Sequence, residues 1–192
     1  MSATNSNRWD SFREPLGYLI TFACYGARLH GDDSGSVDPA HNLPGTPFVE
    51  PTPARVASEH RRMDQPPYLL DSAHRRIVLR TIREVCGYKG CRLFAAHIRV
   101  AHVHGVVEAA AAPEAIMNAW KAYASRRLNE TGVDSPDRKR WARHGSTRYL
   151  WTDDDLAAAV HYVLYEQGEP LDTYSSLASP DSPSEPRPSG SV

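Results

Sequence analysis

The sequence predicts an α+β fold, a ferredoxin-like sandwich with elements in the order β-α-β-β-α-β and one further helix near the C-terminus. Three observations lead there: four short runs rich in strand formers, helical periodicity in two segments placed between them, and helix-boundary residues where the periodicity starts and stops. Residues 17–24, GYLITFAC, are a short apolar run that reads as a buried strand. A first helix takes Asp71 as its N-cap and runs to Cys86, with Ile77, Val78, Ile82 and Val85 inward and Gly87 placed to stop it. Residues 91–98, CRLFAAHI, and 102–108, HVHGVVE, read as two adjacent strands. Pro113–Glu114 opens a second helix carrying Ile116, Met117, Trp120, Tyr123 and Leu128, which ends near Gly132. A basic loop over 134–146 leads into TRYLW at 147–151 as the last strand of the repeat. The final helix is N-capped by Thr152, has Asp153, Asp154 and Asp155 at its positive end, and is closed by Gly168.

Around this domain, taken as 15–172, the chain changes character. Residues 1–14 are polar and 173–192 are Ser/Pro-rich and acidic, and both read as disordered. Between 31 and 67 seven prolines (39, 44, 47, 51, 53, 66 and 67) forbid a continuous helix or ladder, so this stretch is an insertion or lid.

The composition, 41% hydrophobic and 23% charged over 192 residues, supports one real core. No run approaches the roughly 18 apolar residues of a membrane span, and the first ten residues lack an apolar signal core, so neither membrane insertion nor secretion is expected. Three cysteines (Cys24, Cys86, Cys91) without a CxxC argue against a disulfide scaffold or zinc ribbon, and a reducing cytoplasm is the expected compartment. The net charge of −1 conceals an uneven distribution. Trp120 to Trp151 holds eight basic and three acidic residues, whereas from Thr152 onward eight acids face Arg187 alone. A basic band interleaved with aromatics suits a phosphate backbone; a solvated helix face and loop would give the same composition.

Two places carry chemistry. His102 and His104, two apart on a strand, point to the same side with Cβ atoms about 6–7 Å apart, so both imidazoles can meet one divalent cation. As a bare pattern HxH is weak, and ordinary core or surface histidines also produce it. On the last helix, Leu156, Val160 and Val163 form the apolar stripe, while Tyr162 and Glu166, at i and i+4, lie on a different face with Asp155 near them. A phenol ordinarily titrates near pH 10 and needs a cation or base to act as a nucleophile; a neighbouring carboxylate able to bind metal supplies that setting. A solvent-facing Tyr–Glu pair is the plain alternative. Other groups have bland explanations: His30 with Asp32 and Asp33 as a turn, His161 as a partner for Tyr165, His97 as a core or surface residue, and Cys86 and Cys91 as small buried residues.

Taken together, HVH at 102–104 on a strand and HYVLYEQGEP at 161–170 near the C-terminus resemble the single-tyrosine HUH transposases of the IS200-like family. TFACYGARLHGD at 21–32, PPYLLD at 66–71, KAYASRRLNE at 121–130 and RKRWARHGSTRYLW at 138–151 resemble its REP-associated tyrosine transposase members. The resemblance covers about 15–172. It implies a metal-dependent endonuclease and strand transferase acting on single-stranded or hairpin DNA, with the tyrosine carried by the extra C-terminal helix. His102 and His104 match the two ligands of Mg²⁺ or Mn²⁺, and Tyr162 matches the nucleophile. Glu166 stands where the family usually has Gln or Asn as third ligand, with Gln167 one position on as its rival. Ala101 replaces a common asparagine, and Arg28 a common tryptophan.

On this reading Tyr162 attacks a phosphodiester and keeps a 5′-phosphotyrosine link, whose energy serves rejoining; no GxxxxGK[ST] loop is present in the sequence. For DNA contact the sequence offers Lys121, Arg126, Arg127, Arg140, Arg143, Arg148 and Trp141, with Tyr149 and Trp151 as further stacking residues or core strand residues. A homodimer is compatible with the resemblance. Two alternatives stand beside it: a descendant that binds DNA hairpins without cutting, and a metal hydrolase using a water nucleophile.

Overall fold

The computed structural model describes residues 14–27, 63–132 and 134–177. Five strands form one sheet: β1 (Gly17–Cys24), β2 (Arg92–Ile98), β3 (His102–Glu108), β4 (Trp141–Leu150) and β5 (Asp172–Ser175). Among the described residues there are three helices, α1 (Ser72–Tyr88), α2 (Pro113–Glu130) and α3 (Asp153–Tyr165). The strand order is β4-β1-β3-β2-β5, and every neighbouring pair is antiparallel. The first four strands with α1 and α2 therefore make the predicted βαββαβ sandwich, and α3 is the extra helix.

Local chemistry accounts for the helix ends. Asp71 Oδ1 accepts from the His74 N–H at 2.8 Å, and Thr152 Oγ1 accepts from the Asp155 N–H at 3.1 Å, so both predicted N-caps are in place. Gly87 does not stop α1; it lies inside the last turn, and the chain leaves the helix before Gly90, whose φ of +67° an L side chain rarely adopts. α3 ends at Tyr165, three residues before Gly168.

The sheet has two unlike faces. On one, Ile20, Phe22, Val103 and Val107 pack under α1 and α2 against Val78, Ile82, Ile116, Trp120 and Leu128. Gly105 makes that packing possible: a Cβ there would lie 2.9 Å from the Trp120 ring, so only glycine lets the indole approach β3 this closely. On the other face α3 lies across β2 and β3, burying Ala95, Val106, Leu150, Ala159 and Val163, with Leu156 and Val160 beside them. The predicted apolar stripe of this helix is thus its buried side.

Two segment assignments change. Residues 141–146, read as loop, belong to β4, which is ten residues long and paired with β1 across a register shift between Phe22 and Cys24. Residues 172–175, at and just past the boundary set for the disordered tail, form β5 on the edge of β2. An edge strand of this kind needs no aliphatic run, because its backbone bonds to β2 and one packed ring hold it; Tyr174 lies against the main core with the Arg83 guanidinium 4.9 Å from its ring centre. Of the proline-rich insertion only residues 63–67 are described; just past them Tyr68 and Leu70 are buried and donate their N–H groups to the carbonyls of Tyr25 and Val100. Arg28, His30, Asp32, Asp33 and the segments 1–13 and 178–192 lie outside the described residues.

Candidate active site

β3 alternates as its sequence requires: Val103 and Val107 enter the core under α1 and α2, while His102, His104 and Val106 take the α3 side. The His102 and His104 rings meet edge to face with centroids 4.8 Å apart. Register then sets the neighbours of His104, which is opposite Thr21 on β1 and His97 on β2. Thr21 Oγ1 lies 2.8 Å from His104 Nδ1, so metal ligation by this ring would use Nε2, with the threonine fixing the plane of the ring. His97 is buried at 0% exposure, and burial holds its pKa below the usual histidine value.

α3 brings Tyr162 to this pair. With Leu156, Ala159 and Val163 turned into the sheet, Tyr162 emerges at the flank of the helix, 37% exposed, its ring centre 5.8 Å from that of His104 at 87°. Beyond it, toward β1 and β4, no helix among the described residues covers the sheet face: Thr21 and Ala23 are half-buried, and Ser146 and Arg148 are exposed. Here is an open, polar floor bounded by two imidazoles and a phenol.

Glu166, expected as a third ligand, does not join them. Glu166 is the C-cap of α3, with φ −103° and ψ 10°, and its Oε1 lies 2.9 Å from His161 Nδ1. Helical phase, which put Glu166 on the tyrosine's face in the sequence reading, no longer applies past the last helical residue. Gln167 donates its side-chain N–H to the Tyr162 carbonyl at 3.2 Å, and so does the Glu166 backbone N–H. Among the described residues no three His, Cys, Asp or Glu side chains are gathered closely enough to hold a metal ion. The two imidazoles suit a divalent cation by donor type and by sharing a face; the remaining positions would fall to phosphate, water or a re-aimed Glu166.

The basic residues divide in a way the sequence did not show. Lys121 is 7% exposed and donates to the carbonyls of Ala142 at 3.0 Å and His144 at 3.1 Å, and burial lowers its pKa. Arg140 is 3% exposed, within 3.3 Å of Asp134, whose carboxylate also accepts from the Tyr68 hydroxyl at 2.7 Å. Trp141 donates to Lys121 O and Ser125 Oγ and meets Phe22 edge to face. These three are framework, holding β4 and the preceding loop to α2 and to the segment around Tyr68, and they are not available to a phosphate backbone. Arg127 pairs with Glu130 and Glu84, and Arg126 covers the Tyr123 ring; both ride on α2, across the sheet from Tyr162. Arg143 and Arg148 are the exposed members on β4, and Arg148 shares the face of Tyr162 and lies 3.3 Å from Asp155. Tyr149 and Trp151 are each 43% exposed and stack on one another at 5.9 Å, so neither is a core residue. His161 does meet Tyr165, ring to ring at 5.1 Å.

Sequence reasoning missed Thr21 and His97 as site neighbours. A polar residue in the apolar run GYLITFAC was a signal for the first; nothing local marked the second.

Residues 67–160 match the family model described as IS200-like transposase, which bears out the resemblance. The match includes the histidine pair and stops two residues before Tyr162. Among solved structures, the REP-associated tyrosine transposase bound to a REP hairpin is similar with a TM-score of 0.44 and 8% identity, over 83% of this chain and 72% of that one. A crystal structure from Deinococcus radiodurans R1, of a protein assigned as a transposase, is similar with a TM-score of 0.41 and 12% identity, over 85% and 95%. No curated protein matches the chain.

Proposed function

We propose that this chain, a match to the IS200-like transposase family, nicks and rejoins single-stranded or hairpin DNA through Tyr162. The observation that supports this most is the meeting of Tyr162 with His104 and His102, residues far apart in the chain, beside an open polar floor. His102 and His104 would hold Mg²⁺ or Mn²⁺, and Thr21 keeps the second ring oriented. When bound, the cation would polarise a non-bridging oxygen of the scissile phosphate and orient that group. Tyr162 Oη forms the new bond to phosphorus as the bond to the 3′-oxygen breaks. The phenol gives up one proton and the departing 3′-hydroxyl takes one, so the step needs no nucleotide cofactor. Arg148, on the face of Tyr162, and the exposed Arg143 would meet backbone phosphates, whereas Trp151 stacks on Tyr149 and lies away from that face. No helix of the described residues is long and apolar enough to cross a membrane.

Glu166, engaged with His161, favours one second reading: a descendant that binds hairpins without cutting. One experiment separates them. The protein and Tyr162→Phe are mixed with labelled hairpin DNA from the gene's own flanks, with Mn²⁺, Mg²⁺ or EDTA. A denaturation-resistant adduct that needs metal and is lost in Tyr162→Phe is the expected result. An adduct surviving in Tyr162→Phe would move the nucleophile to Tyr165, and tight binding with no adduct would leave the hairpin binder.

A further inference from the structure

His97 and Arg99 sit where the β2–β3 hairpin turns back toward the histidine pair, and both reach the far end of α3. His97 Nδ1 lies 3.1 Å from the Val163 carbonyl, and its Nε2 accepts the Leu171 N–H at 3.2 Å. A backbone N–H can only donate, so Nε2 carries no proton, and the ring is the neutral tautomer that donates from Nδ1 to Val163. That carbonyl is among the last of the helix, where no intrahelical donor remains for it, and His97 supplies one. Arg99 donates from Nη1 to the Glu169 carbonyl at 2.7 Å, in the turn that follows. Its guanidinium also lies against Gly168, where a Cβ would come 3.5 Å from Nη2.

We propose that His97 and Arg99 are positioning residues: a clamp from the hairpin that presents the histidine pair, holding the last turn of α3 so that Tyr162 stays over His104. This rests on the reading of Tyr162 as nucleophile. Tyr162 precedes Val163, the residue His97 grips, and the Tyr162 carbonyl is itself held by the Glu166 and Gln167 N–H groups. The turn after the helix is therefore closed on Tyr162 from one side and tied to the sheet from the other. Buried apolar contacts of Val163 and Ala159 keep α3 on the sheet, but they are non-directional and leave its rotation and axial position soft. Two directed hydrogen bonds from a rigid strand and one from the turn set both.

The test uses the full-length chain with His97→Leu, His97→Gln (whose amide can again donate and accept) and Arg99→Ala, at a temperature where each is folded. One arm is independent of activity: the nuclear Overhauser contact between the Tyr162 and His104 rings, and the long-range ¹H–¹⁵N spectrum of His97. The wild type is expected to show that contact and a His97 protonated on Nδ1; His97→Leu and Arg99→Ala should weaken the contact, and His97→Gln should restore part of it. In the second arm, the adduct rate at saturating hairpin DNA should fall about tenfold to a hundredfold in His97→Leu, with hairpin affinity within about twofold. An undiminished ring contact in folded His97→Leu, or an unchanged adduct rate there, overturns the clamp. If His97→Leu does not fold, Arg99→Ala, whose bond lies at the surface, decides by the same two readouts. A wild type that forms no adduct refutes the nucleophile, while the ring contact still judges the clamp.

Discussion

Replacing Lys121 with methionine distinguishes a DNA-contacting lysine from a structural one. The ammonium makes two bonds, to the carbonyls of Ala142 and His144, and stands 5.3 Å from the Phe22 ring centre. Hydrogen bonds from a charged donor contribute about 1.5–3 kcal/mol each. Two opposing effects reduce the sum. Burial disfavours the charged form and lowers its pKa, and methionine keeps the methylene packing without that cost. His144 is exposed, so water can replace the lost partner at its carbonyl, whereas Ala142 is half-buried. The net expectation is a loss of about 2 kcal/mol, which moves a urea midpoint by about 1 M for a domain of this size. Binding to a hairpin should keep its salt dependence, since no phosphate contact is removed. Arg148→Ala or Arg143→Ala should instead leave the midpoint within about 0.5 kcal/mol and reduce the slope of log Kobs against log salt by about 0.7–0.9. A Lys121→Met protein with an unchanged urea midpoint and a shallower salt slope would refute the reasoning, and return Lys121 to the DNA-binding set.

Other outcomes follow from the same contacts. Gly105→Ala drives a methyl to 2.9 Å from two carbons of the fully buried Trp120, and should lower stability by about 1–3 kcal/mol in urea unfolding. Thr21→Val removes the hydroxyl from His104 Nδ1 while keeping strand propensity; titration should show Mn²⁺ affinity reduced about 10–100-fold, and an unchanged affinity would remove Thr21 from the site. Burial pushes the Cys24 and Cys86 thiols up to about 12, and raises the half-buried Cys91 as well. A thiol reagent at pH 8 should therefore leave Cys24 and Cys86 unmodified in the native protein and reach all three in denaturant. The unfolded chain ionises these thiols first as pH rises above the ordinary thiol value of 9.0, so their contribution favours folding below that pH and is lost toward 12. Cys24→Ala should flatten the alkaline fall in stability.

Lys121 also shows where a signal was present and unused. Met117, Lys121, Ala124 and Leu128 recur at helical spacing on the buried side of α2, so the lysine's phase places it inward even though its charge suggests the surface. Arg140 had no such signal, because its burial depends on Asp134 and Tyr68, and Tyr68 reaches it from a segment seventy residues away. Glu166 failed for the opposite reason: a helical phase was extended past the point where the helix stops. β5 escaped notice because a polar strand is held by the backbone of its neighbour and leaves no hydrophobic period to read.

By itself the sequence determined the order of elements from β1 to α3, the caps at Asp71 and Thr152, the inward stripe of α3 and the common face of His102 and His104. Each of these depends on periodicity or on bonds within a few residues. Tertiary structure alone decided that Thr21 and His97 flank His104, that Tyr162 stands over it while Glu166 turns to His161, and that Lys121 and Arg140 are buried. Those facts depend on which strands pair and in what register, and pairing is settled by the packing of the whole sheet against its helices, which no local window contains.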